Sequence, residues 1–413
     1  PEVHVSSLEI RVDPSAMGFD VQRLERIQPH FDQYVGDRRL PGWLATVSRG
    51  GELVWTGRGG HRDRERGLEV INDTIWRVYS MTKPITAVTA MMLYEEGRFD
   101  LNDDVGQWIE ELAEPRVWAG GTAIKPVTVP AVEPVRVHHL LSHTSGLTYN
   151  FQNRHPVDEI YRAKGYGFHS FPEDDLARAV HDYCSTPLLF QPGSRWNYSE
   201  STAVLGRLIE IWTGQPLDVV FRERVFEPLG MHDTDWWCPP EKQDRLAMLY
   251  VPLHGESFPY VDLAQQVLEP HLMHDGGGGL LSTAHDYHQF MTMLLRGGEL
   301  NGTRLVSNRT LDLMTENHLP HDVDLQEFAT GLFADVENAG LGFGLGFSVV
   351  IDRRKNKSLV SDGTFGWGGA ASTVFWVDPA EDLTVSFYTQ LLPSSTYPIR
   401  RELQQLVYQS LVD

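Results

Sequence analysis

The stretch Arg77–Met92, RVYSMTKPITAVTAMM, places a serine and a lysine three residues apart at the head of an apolar run. Residues three apart share one face of a helix, so Lys83 can reach the Ser80 hydroxyl. Pro84 indicates where that helix begins, because proline has no N–H and is tolerated only near the first turn. Ser80 then sits where backbone N–H groups are unpaired and the helix dipole favours negative charge. The residues after Lys83, PITAVTAMMLYEEG, are apolar on most faces and predict a buried helix. A lysine at the mouth of such a helix needs a partner, and when desolvated it can give up its proton often enough to act as a base. Taken alone, S-x-x-K equally describes an ordinary capped helix with a solvated lysine.

The rest of the chain bounds the answer. Its 413 residues exceed the usual size of one compact core, so two domains or one composite unit is expected. Lys and Arg total 35 against 56 Asp and Glu, a net charge of −21 that argues against nucleic acid or an anionic membrane as partner. No window approaches the roughly 18 uninterrupted apolar residues of a membrane span. The opening PEVHVSSLEIRVDP lacks the basic start and apolar core of a signal peptide, and a cytoplasmic location is the expectation. The two cysteines, Cys184 and Cys238, form no metal spacing, and a large core does not need a disulfide between them.

Along the chain, residues 20–36 read as a helix capped by Asp20, followed by the strand-like runs WLATVSRG and ELVWTGRGG joined at Gly50-Gly51. TIWRVYS is a third strand candidate. Helical patterns follow near 81–96, 136–142, 173–184, 199–213 and 216–226, separated by Pro/Gly-rich connections. Strands return with FGLGFSVVID, ASTVFWVDP and LTVSFYTQ, and a final helix covers about 397–411. This order predicts an α+β fold. Residues 1–80 and 281–413 would build an antiparallel sheet flanked by helices, and residues 81–280 a mostly helical domain.

Two further motifs give the opening stretch its context. RWNYSESTAVLGRLIE (195–210) puts Tyr198 just before a helix, where a phenol beside a lysine cation can shuttle protons. SDGTFGWGGAASTVFWVDP (361–379) puts Gly366-Trp367-Gly368-Gly369 at the head of a strand, where glycines allow close approach and an N–H can face an oxyanion. In this order the three motifs resemble the serine β-lactamase/penicillin-binding-protein superfamily, and within it the class C β-lactamase-like esterases (family VIII carboxylesterases). LLSHTSGLTY (140–149) and FQPGSRWNYSESTAVLGRLIE are similar to segments of that family. The resemblance covers about 20–411. It implies that Ser80 is the acylated nucleophile, Lys83 its activator, and Tyr198 the partner base and then the acid for the leaving group. It implies an active site at the interface of the two domains and an oxyanion hole from the N–H groups of Ser80 and Ala370; no cofactor or metal is expected.

Where the lactamases carry a cation in the third motif, this chain has Trp367, which cannot pair with a carboxylate. Their Tyr-x-Asn is here Tyr198-Ser199-Glu200, a change that adds negative charge if the side chain points inward. Both differences favour neutral esters. Substrate contacts are expected from Tyr149, Glu200, Phe365, Trp367, Gly368 and Gly369, with a small-molecule ester as partner. The expected activity is that of a serine hydrolase cleaving short-chain carboxylic esters. The rivals are a β-lactamase or D-amino-acid peptidase, an acyltransferase, and a non-catalytic scaffold of the same fold. Neither the histidine pairs nor Gly276–Gly279 match a zinc or phosphate-loop pattern, and the glycine run reads as a turn beside the cleft.

Overall fold

A computed structural model describes residues 8–166, 175–335 and 337–412. Its centre is an eight-stranded sheet in the order β4-β5-β6-β7-β8-β1-β2-β3. The strands are β1 Gly42–Arg49, β2 Glu52–Asp63, β3 Leu68–Glu69, β4 Leu341–Phe343, β5 Ser348–Val350, β6 Phe365–Gly368, β7 Val374–Asp378 and β8 Leu383–Tyr388. Neighbours pair antiparallel throughout, and Leu44 opposite Tyr388 sets the seam between the two ends of the chain. The β1–β2 turn falls at Gly50 and Gly51, with φ of 62° and 78°, the left-handed pair a two-residue hairpin requires.

The period of two along each strand sends alternate side chains to opposite faces. On one face Trp43, Trp376 and Phe387 meet helices α1 (Ile27–Gly36) and α5 (Ile399–Tyr408), with Phe31 and Phe387 ring centroids 4.7 Å apart. On the other, Leu44, Phe375 and Tyr388 join the larger core, where Tyr287 of α4 (Ala284–Leu295) lies 5.0 Å from Phe375. Helix α2 (Thr82–Glu95) is buried along nearly its whole length, as its unbroken apolar run requires, and packs on α3 (Ser201–Thr213). Among the described residues no helix is long and apolar enough to cross a membrane.

Several elements differ from the sequence reading. The first helix is two pieces, Val21–Leu24 and Ile27–Gly36. TIWRVYS gives only the short strand Trp76–Arg77, which pairs with Leu281–Ser282 outside the main sheet. FGLGFSVVID spans the turn between β4 and β5. The connection around 116–130 contains an antiparallel hairpin, Arg116–Gly121 with Pro126–Pro130. Helix α4 has no counterpart in the sequence reading, since His285, Asp286 and His288 interrupt its apolar pattern; Asp286 is buried, accepting from Asp233 N and Thr234 Oγ1. Residues 173–174 lie outside the described residues, and the helix there runs Leu176–Cys184. Cys184 and Cys238 are both buried free thiols.

Asp233, whose N–H donates to Asp286 on α4, is gripped by both terminal nitrogens of Arg245 at 3.0 and 2.6 Å. Burial raises this carboxyl, but hydrogen bonds and charge from Arg245 and Lys242 outweigh it and hold it at about 2, below its ordinary 3.8. A depressed folded-state pKa stabilises the fold above the unfolded value, and the gain disappears as pH falls from about 4 to about 2. Asp233→Asn should therefore cost about 2 kcal/mol at pH 7. In urea melts repeated at falling pH, the gap between variant and parent should close below about pH 3.

Candidate active site

Ser80 lies in a one-turn 3-10 helix, Tyr79–Met81, that feeds α2, so Pro84 falls in the first turn as expected. Tyr79 has φ of 43°, a left-handed conformation that is costly for a bulky residue and turns the chain sharply just before Ser80. Ser80 is half-buried, while Lys83 is 2% exposed. Lys83 Nζ lies 3.4 Å from Ser80 Oγ and donates to the Gly277 carbonyl. It sits over the Tyr198 ring at 4.6 Å and the Tyr149 ring at 5.3 Å. The solvated-lysine reading of S-x-x-K is thereby excluded.

Tyr198 comes to Lys83 just ahead of α3, and its phenol oxygen accepts a hydrogen bond from Trp367 Nε1 at 3.2 Å. Trp367 is thus more than an apolar wall. Its indole N–H reaches the phenol, while the ring packs edge-on against Phe343 at 5.4 Å. His143, from the HTSG segment, lies 5.0 Å from the Tyr198 ring and 3.3 Å from Ser199 Oγ. Burial, reinforced by the Lys83 charge, pushes its imidazole well below the usual range, so it is neutral here.

The third motif meets the serine turn through glycine. A β-carbon on Gly369 would collide with the Val78 carbonyl oxygen and the Thr373 hydroxyl, so only glycine lets β6 come this near the Ser80 turn. The Ser80 and Ala370 N–H groups donate to no group among the described residues. Tyr149 stacks on Phe151 at 4.6 Å and tilts against Tyr198 at 5.2 Å. Gly368 lies half-buried on β6 next to Trp367. Phe365 is not brought to the cluster in the way expected: it is 3% exposed, and its ring packs edge-on against Phe347 as core.

Two carboxyls feel the charge of the lysine. Glu200 is 5% exposed, and burial followed by the nearby Asp275 raises it well above the usual carboxylate range. The expectation that Glu200 adds a full negative charge is therefore corrected, because this environment favours the protonated form. Asp275 is pushed up to about 6, chiefly by burial, with the Lys83 charge and a hydrogen bond from Gly277 N opposing.

Sequence reasoning missed Asp275 and Phe333. Phe333 lies nearly parallel to Trp367 at 6.0 Å and also contacts Tyr198 at 5.1 Å, but it comes from a remote 3-10 segment with no motif around it. The glycines 276–279 do form the turn beside the cleft. They pass so near α3 that a β-carbon on Gly276 would lie 2.9 Å from Thr202 O. Among the described residues no group of three His, Cys, Asp or Glu side chains is arranged to hold a metal ion.

A serine turn, a buried lysine and a tyrosine on converging elements, closed by a Gly-Gly strand, agree with the match of residues 27–409 to the Beta-lactamase family. The chain belongs to the Beta-lactamase family. Esterase EstB of Burkholderia gladioli is 30% identical over 96% of this chain and 98% of its own. The solved structure of EstCE1, described as a hydrolase with promiscuous acyltransferase activity, superposes with a TM-score of 0.80 at 25% identity, covering 94% and 98%. The methylbutanoyltransferase mlcH of Penicillium citrinum is 25% identical over 95% of both chains.

Within this candidate site, the Trp367–Tyr198 hydrogen bond is open to a direct check. Trp367→Phe keeps the ring but removes the donor, and should lower kcat on a neutral ester about five- to tenfold with little change in KM. A raised KM with kcat intact would instead show that the ring only packs against substrate.

Proposed function

We propose that this protein is a serine hydrolase that forms an acyl-enzyme on Ser80 and hydrolyses short-chain carboxylic esters. The cleft would lie between the sheet unit of residues 1–80 and 281–413 and the helical unit of 81–280. The observation that carries the reading is the meeting of Ser80, Lys83 and Tyr198, with an indole N–H in place of the third-motif cation.

Lys83, 3.4 Å from Ser80 Oγ, takes the hydroxyl proton as the oxygen attacks the ester carbonyl. The unpaired N–H groups of Ser80 and Ala370 receive the oxyanion. Tyr198, held by Trp367 and lying across the lysine, supplies a proton to the departing alkoxide. Water then attacks the acyl-enzyme by the reverse path. The aromatic surroundings of Tyr149, Phe333 and Trp367 suit an acyl chain or a neutral alcohol. With no cation at Trp367, the motif offers nothing to hold a penicillin or peptide carboxylate.

Acyl transfer to an alcohol is the second reading, favoured by the likeness to the methylbutanoyltransferase mlcH and to EstCE1, described as having promiscuous acyltransferase activity. It differs only in which nucleophile meets the acyl-enzyme.

One preparation assayed with p-nitrophenyl butyrate and with a chromogenic cephalosporin tests the proposal. Ester turnover should exceed lactam turnover, and Ser80→Ala should remove at least about 10⁴-fold of it. Efficient cephalosporin hydrolysis would overturn the ester reading. Butyl butyrate formed at the expense of butyrate when butanol is added would identify the transferase.

A further inference from the structure

The two N–H groups assigned to the oxyanion come from segments far apart in the chain. Ser80 lies in the turn before α2, and Ala370 in the turn between β6 and β7. Gly369 passes close to the Val78 carbonyl, but a steric contact sets only how near the two turns can come. Directional bonds are needed to hold them at one separation.

Gln390, just past the end of β8, is 1% exposed. Its side-chain oxygen accepts from Arg77 N at 3.1 Å, and its Nε2 donates to Arg77 O at 3.1 Å and to Thr389 O at 2.7 Å. The amide therefore stands where one residue of a neighbouring strand would stand. The other edge of Trp76–Arg77 pairs with Leu281–Ser282, so the chain three residues before Ser80 is held from both sides. The residue after Gln390 holds the second turn. Leu391 N donates to Ala371 O at 3.2 Å, and Ser372 Oγ donates to Leu391 O at 2.7 Å. Bonds from Gly369 N to Thr373 O at 2.8 Å and from Ser372 N to Gly369 O at 3.2 Å close that turn around Ala370. Gln390 is itself anchored, its carbonyl accepting from Tyr250 N at 2.8 Å.

The choice of side chain points to this tie rather than to packing. Arg77 is 3% exposed and forms no ion pair among the described residues. Its guanidinium donates to the Ala247 and Ala264 carbonyls and, at 3.5 Å, to the Gln390 oxygen. A glutamate at 390 would answer that buried charge. It could not donate to Arg77 O, because an ionised carboxylate only accepts. A methionine would fill the volume and leave both backbone groups of Arg77 unpaired. A carboxamide offers donor and acceptor side by side.

We propose that Gln390 is a positioning residue for the oxyanion hole: its amide, with the Leu391 that follows it, ties the serine turn to the Ala370 turn and sets the separation of their two N–H groups. The inference rests on the acyl-enzyme reading of Ser80.

The test measures hemiketal formation with butyl trifluoromethyl ketone by fluorine NMR, beside kcat and KM on p-nitrophenyl butyrate. Ser80 Oγ bonds to the ketone carbon, the carbonyl π pair becomes the oxyanion, and the proton goes to Lys83. No ester is cleaved, so a parent enzyme that forms the hemiketal without turning over the butyrate loses the esterase reading, while the variants still read this one. A parent that forms none overturns both. Gln390→Met should weaken the hemiketal about a hundredfold and lower kcat by a similar factor. KM, and the affinity for butyl methyl ketone as a competitor, should stay within about twofold, since neither places an oxyanion in the hole. Gln390→Glu keeps an acceptor for Arg77 N and gives the guanidinium a charge partner. Its melting temperature should stay near the parent's while the hemiketal weakens about tenfold. Ser372→Ala loosens the other end of the tie and should weaken the hemiketal about threefold, which keeps the test open if Gln390→Met does not fold. Folded Gln390→Glu and Ser372→Ala variants that bind the trifluoromethyl ketone as the parent does would overturn the proposal. So would equal losses for the two ketones, because the damage would then lie in the cleft as a whole.

Discussion

The buried amino group of Lys83 is the constraint on which the rest of the site depends. A polar group at 2% exposure must be met by partners, and the chain meets it with a backbone carbonyl, a serine hydroxyl and two aromatic faces. Each comes from a different element. The hydroxyl is one turn away on the same helix, the carbonyl comes from the glycine turn, and the rings come from the loop before α3 and the HTSG segment. Fixing the lysine therefore fixes the relative placement of these elements, and the reactive oxygen is positioned as one of the lysine's partners.

Close backbone approach makes this arrangement possible. Gly369 lets β6 lie against the serine turn, and Gly276 and Gly206 let the glycine turn pass between α2 and α3. The sheet supplies the rigid side of the cleft because its middle strands are buried on both faces, between α1 and α5 on one side and α4 on the other. Loops alone would leave Trp367 free to turn away from the Tyr198 phenol. A residue on β6, paired through Phe375, is held.

Much of this was legible in the chain. The i, i+3 spacing of Ser80 and Lys83, the position of Pro84 and the apolar run after it specify a buried helix with its serine at the mouth. The β-branched and aromatic segments at both ends specify an antiparallel sheet closed by the two termini. What escaped depended on long-range packing. Phe333 reaches the site from a segment without a pattern, and Asp275 looks like an ordinary turn residue until the fold sets its carboxyl on the N–H of Gly277, whose carbonyl meets Lys83. Phe365 sits two residues before Trp367 on the same strand, and only the position of Phe347 shows that its ring belongs to the core. Helix α4 was missed because its polar residues face buried partners, as Asp286 does toward Thr234.

Membership of the Beta-lactamase family leaves the leaving group and the acceptor open, and the third motif narrows them. An indole N–H on the tyrosine phenol preserves a donor where a cation would stand, while withdrawing the charge that a carboxylate substrate would need. The central claim is that Ser80 becomes acylated because Lys83 takes its proton. Intact-mass analysis of enzyme quenched during p-nitrophenyl butyrate turnover, followed by peptide mapping, tests it most directly. The account predicts one butyryl group on the peptide containing Ser80 in the parent enzyme and none on Lys83→Ala quenched at the same early times. A butyryl group on another residue, or equally rapid acylation of Lys83→Ala, would contradict it.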